Sequence, residues 1–446
     1  MANVFLTFLG TNNYIECNYV VPETDFRCDK VRFVQEATLK LACADWDAAA
    51  RGYVFTTVEA EAKNWLDDGH YDAKTKTNPV CEGLEKRLAA LSLPFPITRV
   101  PIPDGNSTEE LWKIFMTVYD CIEEGDKIFF DITHAFRSIP MLAIVLLNYA
   151  KVLKGIQIGG VHYGAFEKLG PAWKVKEMSP EQRDAPILDL AVLDSLMDWT
   201  VGIDRFTKSG DPEMICRLSM AFAKPLLALS KGADQAALAI KSLANRLKTF
   251  SQAHATCRGL DISQAAINLQ KSVLEAKKTE ILPLLKPLLG KIEEVASNYN
   301  GHILPDGLAA ARWCLEHNLV QQGFTILQEA IVSHFAGAVG GNVKDIAKRR
   351  VVSRAFAILS QNLVEIPSMW EAEARDNEVF TREVIHAIVK TEGISGIFEK
   401  IREKRNDLAH AGTNSNALSV GNVERFYKEL DRLIFRVEQT LGNKQS

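Results

Sequence analysis

Two patterns of apolar and polar positions alternate along roughly the first 175 residues. "NVFLTFLG", "GYVFTT", "FPITRVPI", "DKIFFDIT" and "IQIGGVHYG" are short β-branched or aromatic runs, each closed by Gly, Thr, Asp or Pro, and they predict five strands. Between them, "KVRFVQEATLKLA", "VCEGLEKRLAALS", "TEELWKIFMTVYDCIEEG" and "SIPMLAIVLLNYAKVLKG" carry the three-to-four-residue recurrence of helices. Ser107 or Thr108 is a natural N-cap for the third of these, and Gly125 ends it. Strands apolar on both faces and alternating with helices imply a mostly parallel sheet covered on both sides, a Rossmann-like α/β domain of the doubly wound kind.

From about Asp184 onward strand signals fade and helical periodicity takes over, as in "ILDLAVLDSLMDWTVGIDRF" and "ADQAALAIKSLANRLKTFSQAHATC". Pro225, Pro283 and Pro287 are expected to break or kink their segments. Junctions near 180–205 and 300–305 divide the chain into an α/β domain over 1–183, a helical connector over 184–300 and a helical domain over 301–446. The expected fold class is therefore α/β at the N-terminus followed by an all-α C-terminal region.

Composition narrows the partners. With 446 residues and a formal net charge of -4, the chain is not a uniformly basic nucleic-acid binder, so any nucleic acid must meet a local basic patch. Eight cysteines stand singly with no CxxC pair, which reads as reduced thiols of a cytoplasmic protein. No histidine lies at metal-ligand spacing, so no metal is expected, and His254, His302, His317, His334 and His386 read as structural. Met1 to Leu9 lacks the basic start and cleavage site of a leader, and "IPMLAIVLLNYA" is too short to span a bilayer, so no membrane partner is expected.

In a doubly wound sheet, ligands bind beyond the carboxyl ends of the strands. There the first strand is followed by "GTNNY", which offers Gly10, Thr11, Asn12 and Asn13 but taken alone is more often a turn than a site. The fourth is followed by "DITHAFRSIP", with Asp131, Thr133, His134, Arg137 and Ser138 directly before a helix, a set with no evident packing role. The fifth ends in "GGVHYGAF", with Tyr163 and Gly164 as candidates and His162 as a structural strand-end histidine. The three strand ends suit a nucleotide or other phosphorylated ligand. Far along the chain, "IREKRNDLAHAG" holds Arg405, Asn406 and His410, which by themselves fit the charged face of a helix.

With "LGTNNY", "DITHAFRSIP" and an Arg-x4-His in this order, the chain resembles the CRISPR-associated CARF–HEPN ribonucleases of the DxTHG subgroup. The resemblance covers both ends of the chain, with Ala135 standing where the motif has glycine. It implies a sensor domain that binds a cyclic oligoadenylate, expected to be cyclic tetra-adenylate, across a homodimer. It further implies a HEPN domain that cleaves single-stranded RNA in type III CRISPR antiviral defence, with Arg405, Asn406 and His410 as its catalytic residues, and "WCLEHNLVQQGFTILQEAIVSHF" as the helix against which the motif helix packs.

Such a reaction needs no metal cofactor, since RNA supplies its own 2′-OH, histidine can move the proton and arginine can stabilise the phosphorane. Five positions on a helix set Arg405 and His410 about 140° apart at ~100° per residue, which favours a composite site built from two copies in a dimer or higher oligomer. Asn406 would orient His410 or the phosphate, or equally is a polar residue with no role, and Asp407 would repel RNA unless it pairs with a neighbouring Arg. "KRRVVSR" (348–354) with Arg402 and Lys404 is the candidate RNA patch, or else a solvated helix face. Two other readings stand beside the ribonuclease: a nucleotide-sensing regulator without catalysis, and a sensor that also hydrolyses its cyclic ligand through Thr133 and His134.

Overall fold

The computed structural model describes residues 2–71, 76–134, 138–279, 284–410, 413, 419 and 422–442. The chain divides into two compact units, Met1–Ser195 and Leu196–Ser446. The first contains one eight-stranded sheet: β1 (Asn3–Leu9), β2 (Cys17–Val20), β3 (Arg27–Val31), β4 (Arg51–Thr56), β5 (Ile97–Pro101), β6 (Lys127–Asp131), β7 (Gln157–Gly164) and β8 (Asp184–Asp189). Their spatial order is β3-β2-β8-β7-β6-β1-β4-β5. β1 lies parallel to β4 and β6, β4 to β5, β6 to β7 and β2 to β8, while β2–β3 and β7–β8 are antiparallel. The five strands expected from apolar runs are the contiguous block from β7 to β5. Val4, Phe5, Leu6 and Phe8 show why: alternate side chains of β1 are buried on both faces of the sheet.

The helices of this unit are α1 (Val34–Ala42), α2 (Val58–Ala60) running into a π turn (Glu61–Trp65), α3 (Leu84–Ala89), α4 (Thr108–Asp120), α5 (Ile139–Lys154) and α6 (Ala172–Glu177). Ser107 caps α4, its hydroxyl accepting from the Glu110 N–H at 3.1 Å. α5 stops where Gly155 turns left-handed (φ 60°), a conformation a Cβ would oppose. Two expectations are corrected. The segment read as one helix from Lys30 first finishes β3, and α1 begins at Val34. The strands also do not end before Asp184, because β8 pairs with both β2 and β7.

α7 (Ala191–Ser209) begins in the first unit and ends in the second. The second unit continues with α8 (Glu213–Leu229), α9 (Gln235–Ala255), α10 (Gly259–Lys278), α11 (Leu285–Ala296), α12 (Ile303–Glu316), α13 (Val320–Ala338), α14 (Ile346–Ser360), α15 (Ala372–Arg375), α16 (Glu378–Val389), α17 (Ile394–Ala409) and α18 (Glu424–Val437). α8 runs through Pro225 instead of breaking there; Pro287 sits in the first turn of α11, where a missing N–H has no helical partner to lose, and Pro283 lies outside the described residues. The stripe Phe426, Leu430, Leu433 and Val437 buries α18 in a core shared with α13, α14 and α17, where Phe356 stacks on Phe398 at 3.9 Å. No helix among the described residues is long and apolar enough to cross a membrane.

A second core around Phe250 and Trp313 contains His254. Its Nδ1 lies 2.9 Å from the Phe250 carbonyl, which only accepts, so Nδ1 carries the proton and Nε2 accepts from the Tyr299 hydroxyl at 2.8 Å. Burial lowers His254 to about 4, so in the fold it stays neutral while an unfolded chain protonates it below ~6.5. Its contribution to stability is therefore complete above ~6.5 and is lost as the pH falls toward 4. Between pH 7.5 and 5 the wild-type helical unit is expected to lose about 2 kcal/mol more than His254→Gln, read from denaturant unfolding at both pH values.

Candidate ligand crevice and candidate RNA-cleavage residues

Strand order reverses at β1, which is flanked by β4 and β6, so the crevice of the doubly wound sheet opens at its carboxyl end. The Gly10–Asn12 turn there is held by Asn64 from the π turn, whose amide donates to the carbonyls of Gly10 (2.8 Å) and Asn12 (2.9 Å). Two carbonyl lone pairs are thereby occupied rather than left to repel an anion. A Cβ on Gly10 would overlap the Tyr14 hydroxyl, so a side chain there would have to move the Tyr14 ring. The Tyr14 ring lies against His134, with centroids 4.3 Å apart. Burial raises the Tyr14 phenol and lowers His134 to about 4, which leaves a neutral imidazole with one donor and one acceptor.

Asp131 lies behind the crevice rather than in it. Its carboxylate is fully buried and accepts from the Thr7 hydroxyl (2.9 Å), the Thr133 N–H (3.0 Å) and the Thr133 hydroxyl (2.6 Å). The Thr133 oxygen in turn accepts from the Gly164 N–H at 2.8 Å, tying the ends of β6 and β7 together. Burial raises the Asp131 carboxyl against the lowering effect of these donors. Ser138 is the N-cap of α5 and makes no capping bond, while Arg137 and Ala135 lie outside the described residues. His162 is buried in β7 opposite Asp131 and Asp189, but its Nδ1 has no hydrogen-bond partner, so it is not the fully satisfied strand-end histidine expected.

The crevice holds two cavities of about 400 and 410 Å³, both bordered by Asn12, Tyr14, Thr133 and His134. The first adds Gly10, Thr11 and Thr57, with Glu59 and Asp104 at its edge; the second adds Asn13, Tyr163 and Gly164, and also Arg32. Arg32 had no signal in the sequence, where it lay inside a segment read as helix. The neighbouring Glu36 is engaged by Arg87 (2.9 Å) and by the backbone N–H groups of Arg32 and Phe33. Burial and Arg87 lower the Arg32 guanidinium, whose buried Nε has no hydrogen-bond partner. A half-buried cation without a carboxylate partner among the described residues is a ready anion anchor. Arg32→Ala is expected to weaken an anionic ligand of the crevice ~10- to 150-fold, equivalent to ~1.5–3 kcal/mol for a charged hydrogen bond. Titration calorimetry would measure this, with the melting temperature nearly unchanged.

In the second unit, α17 packs against α13 and carries Arg405 and Asn406, both half-buried; Asp407 is buried, and His410 is the exposed C-cap. Arg405 donates from Nε to the amide oxygen of Gln328 on α13 at 3.2 Å. The basic run behaves differently. Arg349 pairs with Glu329, Arg350 with Glu373 (3.9 Å) and Arg354 with Glu371 (2.6 Å), while Lys348 lies over the Phe380 ring. It is therefore a largely neutralised helix face and not a free basic patch. Arg402 and Lys404 pair with Glu399 and Glu403. Among the described residues no cluster of His, Cys, Asp or Glu is placed to hold a metal ion.

Fold and crevice define a two-unit protein, a mostly parallel α/β unit followed by an all-helical one. Residues 195–300 match the family described as CRISPR-associated protein MJ1674, second domain. Over 350 residues the chain is 23% identical to the CRISPR-associated protein MJ1674 of Methanocaldococcus jannaschii, covering 76% of this chain and 49% of that protein. The chain thus spans about half the length of this curated relative, and its similarity is to CRISPR-associated proteins.

Proposed function

We propose that this chain is a metal-independent endoribonuclease of type III CRISPR antiviral defence, activated by a cyclic oligoadenylate, with cyclic tetra-adenylate the first ring to test. The observation that carries the reading is the state of Arg405. Among the described residues, arginines 349, 350, 354 and 402 face carboxylates, whereas Arg405 makes no ion pair and donates to the neutral amide of Gln328, five positions before the exposed His410. In the reaction the RNA 2′-oxygen attacks the adjacent phosphorus as the bond from phosphorus to the 5′-oxygen breaks, giving a 2′,3′-cyclic phosphate and a 5′-hydroxyl; His410 moves the proton that leaves the 2′-oxygen, the departing 5′-oxygen takes up one proton, and Arg405 stabilises the charge on the phosphate oxygens. DNA lacks the nucleophile and is not cut.

The sensor reading is supported by the crevice: amides and the Tyr14–His134 pair suit bases, and Arg32 suits a phosphate. A homodimer is supported by an exposed apolar face on α4 and α5, with Trp112 62%, Met141 74% and Val152 83% exposed. The test is cleavage of fluorescent single-stranded RNA in EDTA, with and without cyclic oligoadenylates of different ring size. Cleavage confined to one ring size supports the proposal. No cleavage with any ring would leave a nucleotide-binding regulator. Hydrolysis of the ring by the sensor has less support, since the Thr133 hydroxyl is engaged by Asp131 and Gly164.

A further inference from the structure

Positive charge is unevenly distributed along this acidic chain. Residues 1–195 hold twenty Lys and Arg against twenty-eight Asp and Glu, and 301–446 hold eighteen of each; 196–300 hold fourteen against ten. The surplus therefore lies in the middle helices. There α9 and α10 form a groove of about 560 Å³. α9 contributes Gln235, Ser242 and Arg246, spaced i, i+7 and i+11 and so on one face; α10 contributes Asn268, Lys271 and Lys278. Each side runs about 16 Å at ~1.5 Å per residue. Neither Arg246 nor Lys271 meets a carboxylate in an ion pair among the described residues, and the groove's own Glu275 is engaged by Lys278 at 2.8 Å.

We propose that this groove binds the phosphodiester backbone of a single-stranded RNA; that the strand is RNA rests on the ribonuclease reading. Cations interspersed with amides and hydroxyls suit phosphate and sugar oxygens, and the lining has no aromatic ring on which a base could stack. Binding here is independent of base sequence and sensitive to salt. The groove also supplies what the run at 348–354 does not, cations not already facing carboxylates.

The test uses the full chain carrying His410→Ala, so that bound RNA is not cut, and follows fluorescence anisotropy of a labelled single-stranded RNA across a salt series. Arg246→Glu with Lys271→Glu is expected to weaken binding at least tenfold and to reduce the log–log salt slope by about 1.4, two phosphate contacts at ~0.7 each. Arg246→Gln with Lys271→Gln gives the same direction and covers the case in which charge reversal disturbs the fold. Lys241→Glu with Lys248→Glu changes the charge equally on α9 outside the groove and is expected to leave the slope in place. Equal losses from both pairs, or none from the groove pair, would overturn the proposal. So would displacement of the RNA by micromolar ATP, which would mark a mononucleotide site. Cleavage by wild type is scored separately, so the ribonuclease reading and the groove can each fail alone.

Discussion

His410→Ala is expected to lower metal-free RNA cleavage by about 10²- to 10⁴-fold, the usual contribution of a positioned proton-transfer group. The loss should appear at every activator concentration, because the residue is assigned to chemistry and not to sensing. Folding should be untouched. The imidazole is exposed, and the hydrogen bonds at this position belong to the backbone: the N–H donates to the Asn406 carbonyl at 3.0 Å, and the carbonyl accepts from the Thr413 N–H (3.0 Å) and hydroxyl (2.7 Å). Alanine keeps all of them. Initial rates with labelled RNA in EDTA, beside melting curves of both proteins, measure the effect. Equal cleavage by the two proteins would remove His410 from the mechanism.

Residues that could be read from the sequence share one property: local pattern decides them. The five strands from β7 to β5 are buried on both faces, so their apolar runs are unbroken, and the Ser107 cap follows from its own side chain. β2, β3 and β8 were missed because partners, not pattern, make them strands. "RCDKV" is mostly polar and "DAPILD" contains proline, yet Arg27 bridges to Asp184 at 2.8 Å and Asn18 donates to the same carboxylate at 2.8 Å. The same limit applies at the candidate sites. The acids that neutralise Arg349, Arg350 and Arg354 lie 17 to 23 positions away, so the run looks free in the sequence. Arg32 is the reverse case, unremarkable in sequence and without a carboxylate partner among the described residues, where Glu36 is taken by Arg87 and by backbone N–H groups. Asp131 looked like a ligand contact because a carboxylate before a Thr-His loop has no local packing role; only the fold brings Thr7 to it, 124 positions away.

That placement gives Asp131 the second large effect. Asp131→Ala leaves the Thr133 N–H and the hydroxyls of Thr7 and Thr133 without their shared acceptor in a fully buried position. Buried donors left unmade cost ~1–3 kcal/mol each, and hydroxyls can turn to other acceptors, so a net destabilisation of about 3 kcal/mol is expected in the first unit. Thermal or denaturant unfolding would measure it. The consequence for activity differs from that of His410→Ala. Thr133 and His134 border both cavities, and without Asp131 nothing fixes the Thr133 hydroxyl against the Gly164 N–H. Half-maximal RNA cleavage should then require at least about tenfold more cyclic tetra-adenylate, the effect of ~1.4 kcal/mol of lost binding. The maximal rate at saturating activator should stay near wild type, because Arg405 and His410 are unaltered. A fall in maximal rate with an unchanged activator requirement would place Asp131 outside sensing, and no loss of stability would mean its hydrogen bonds are not made.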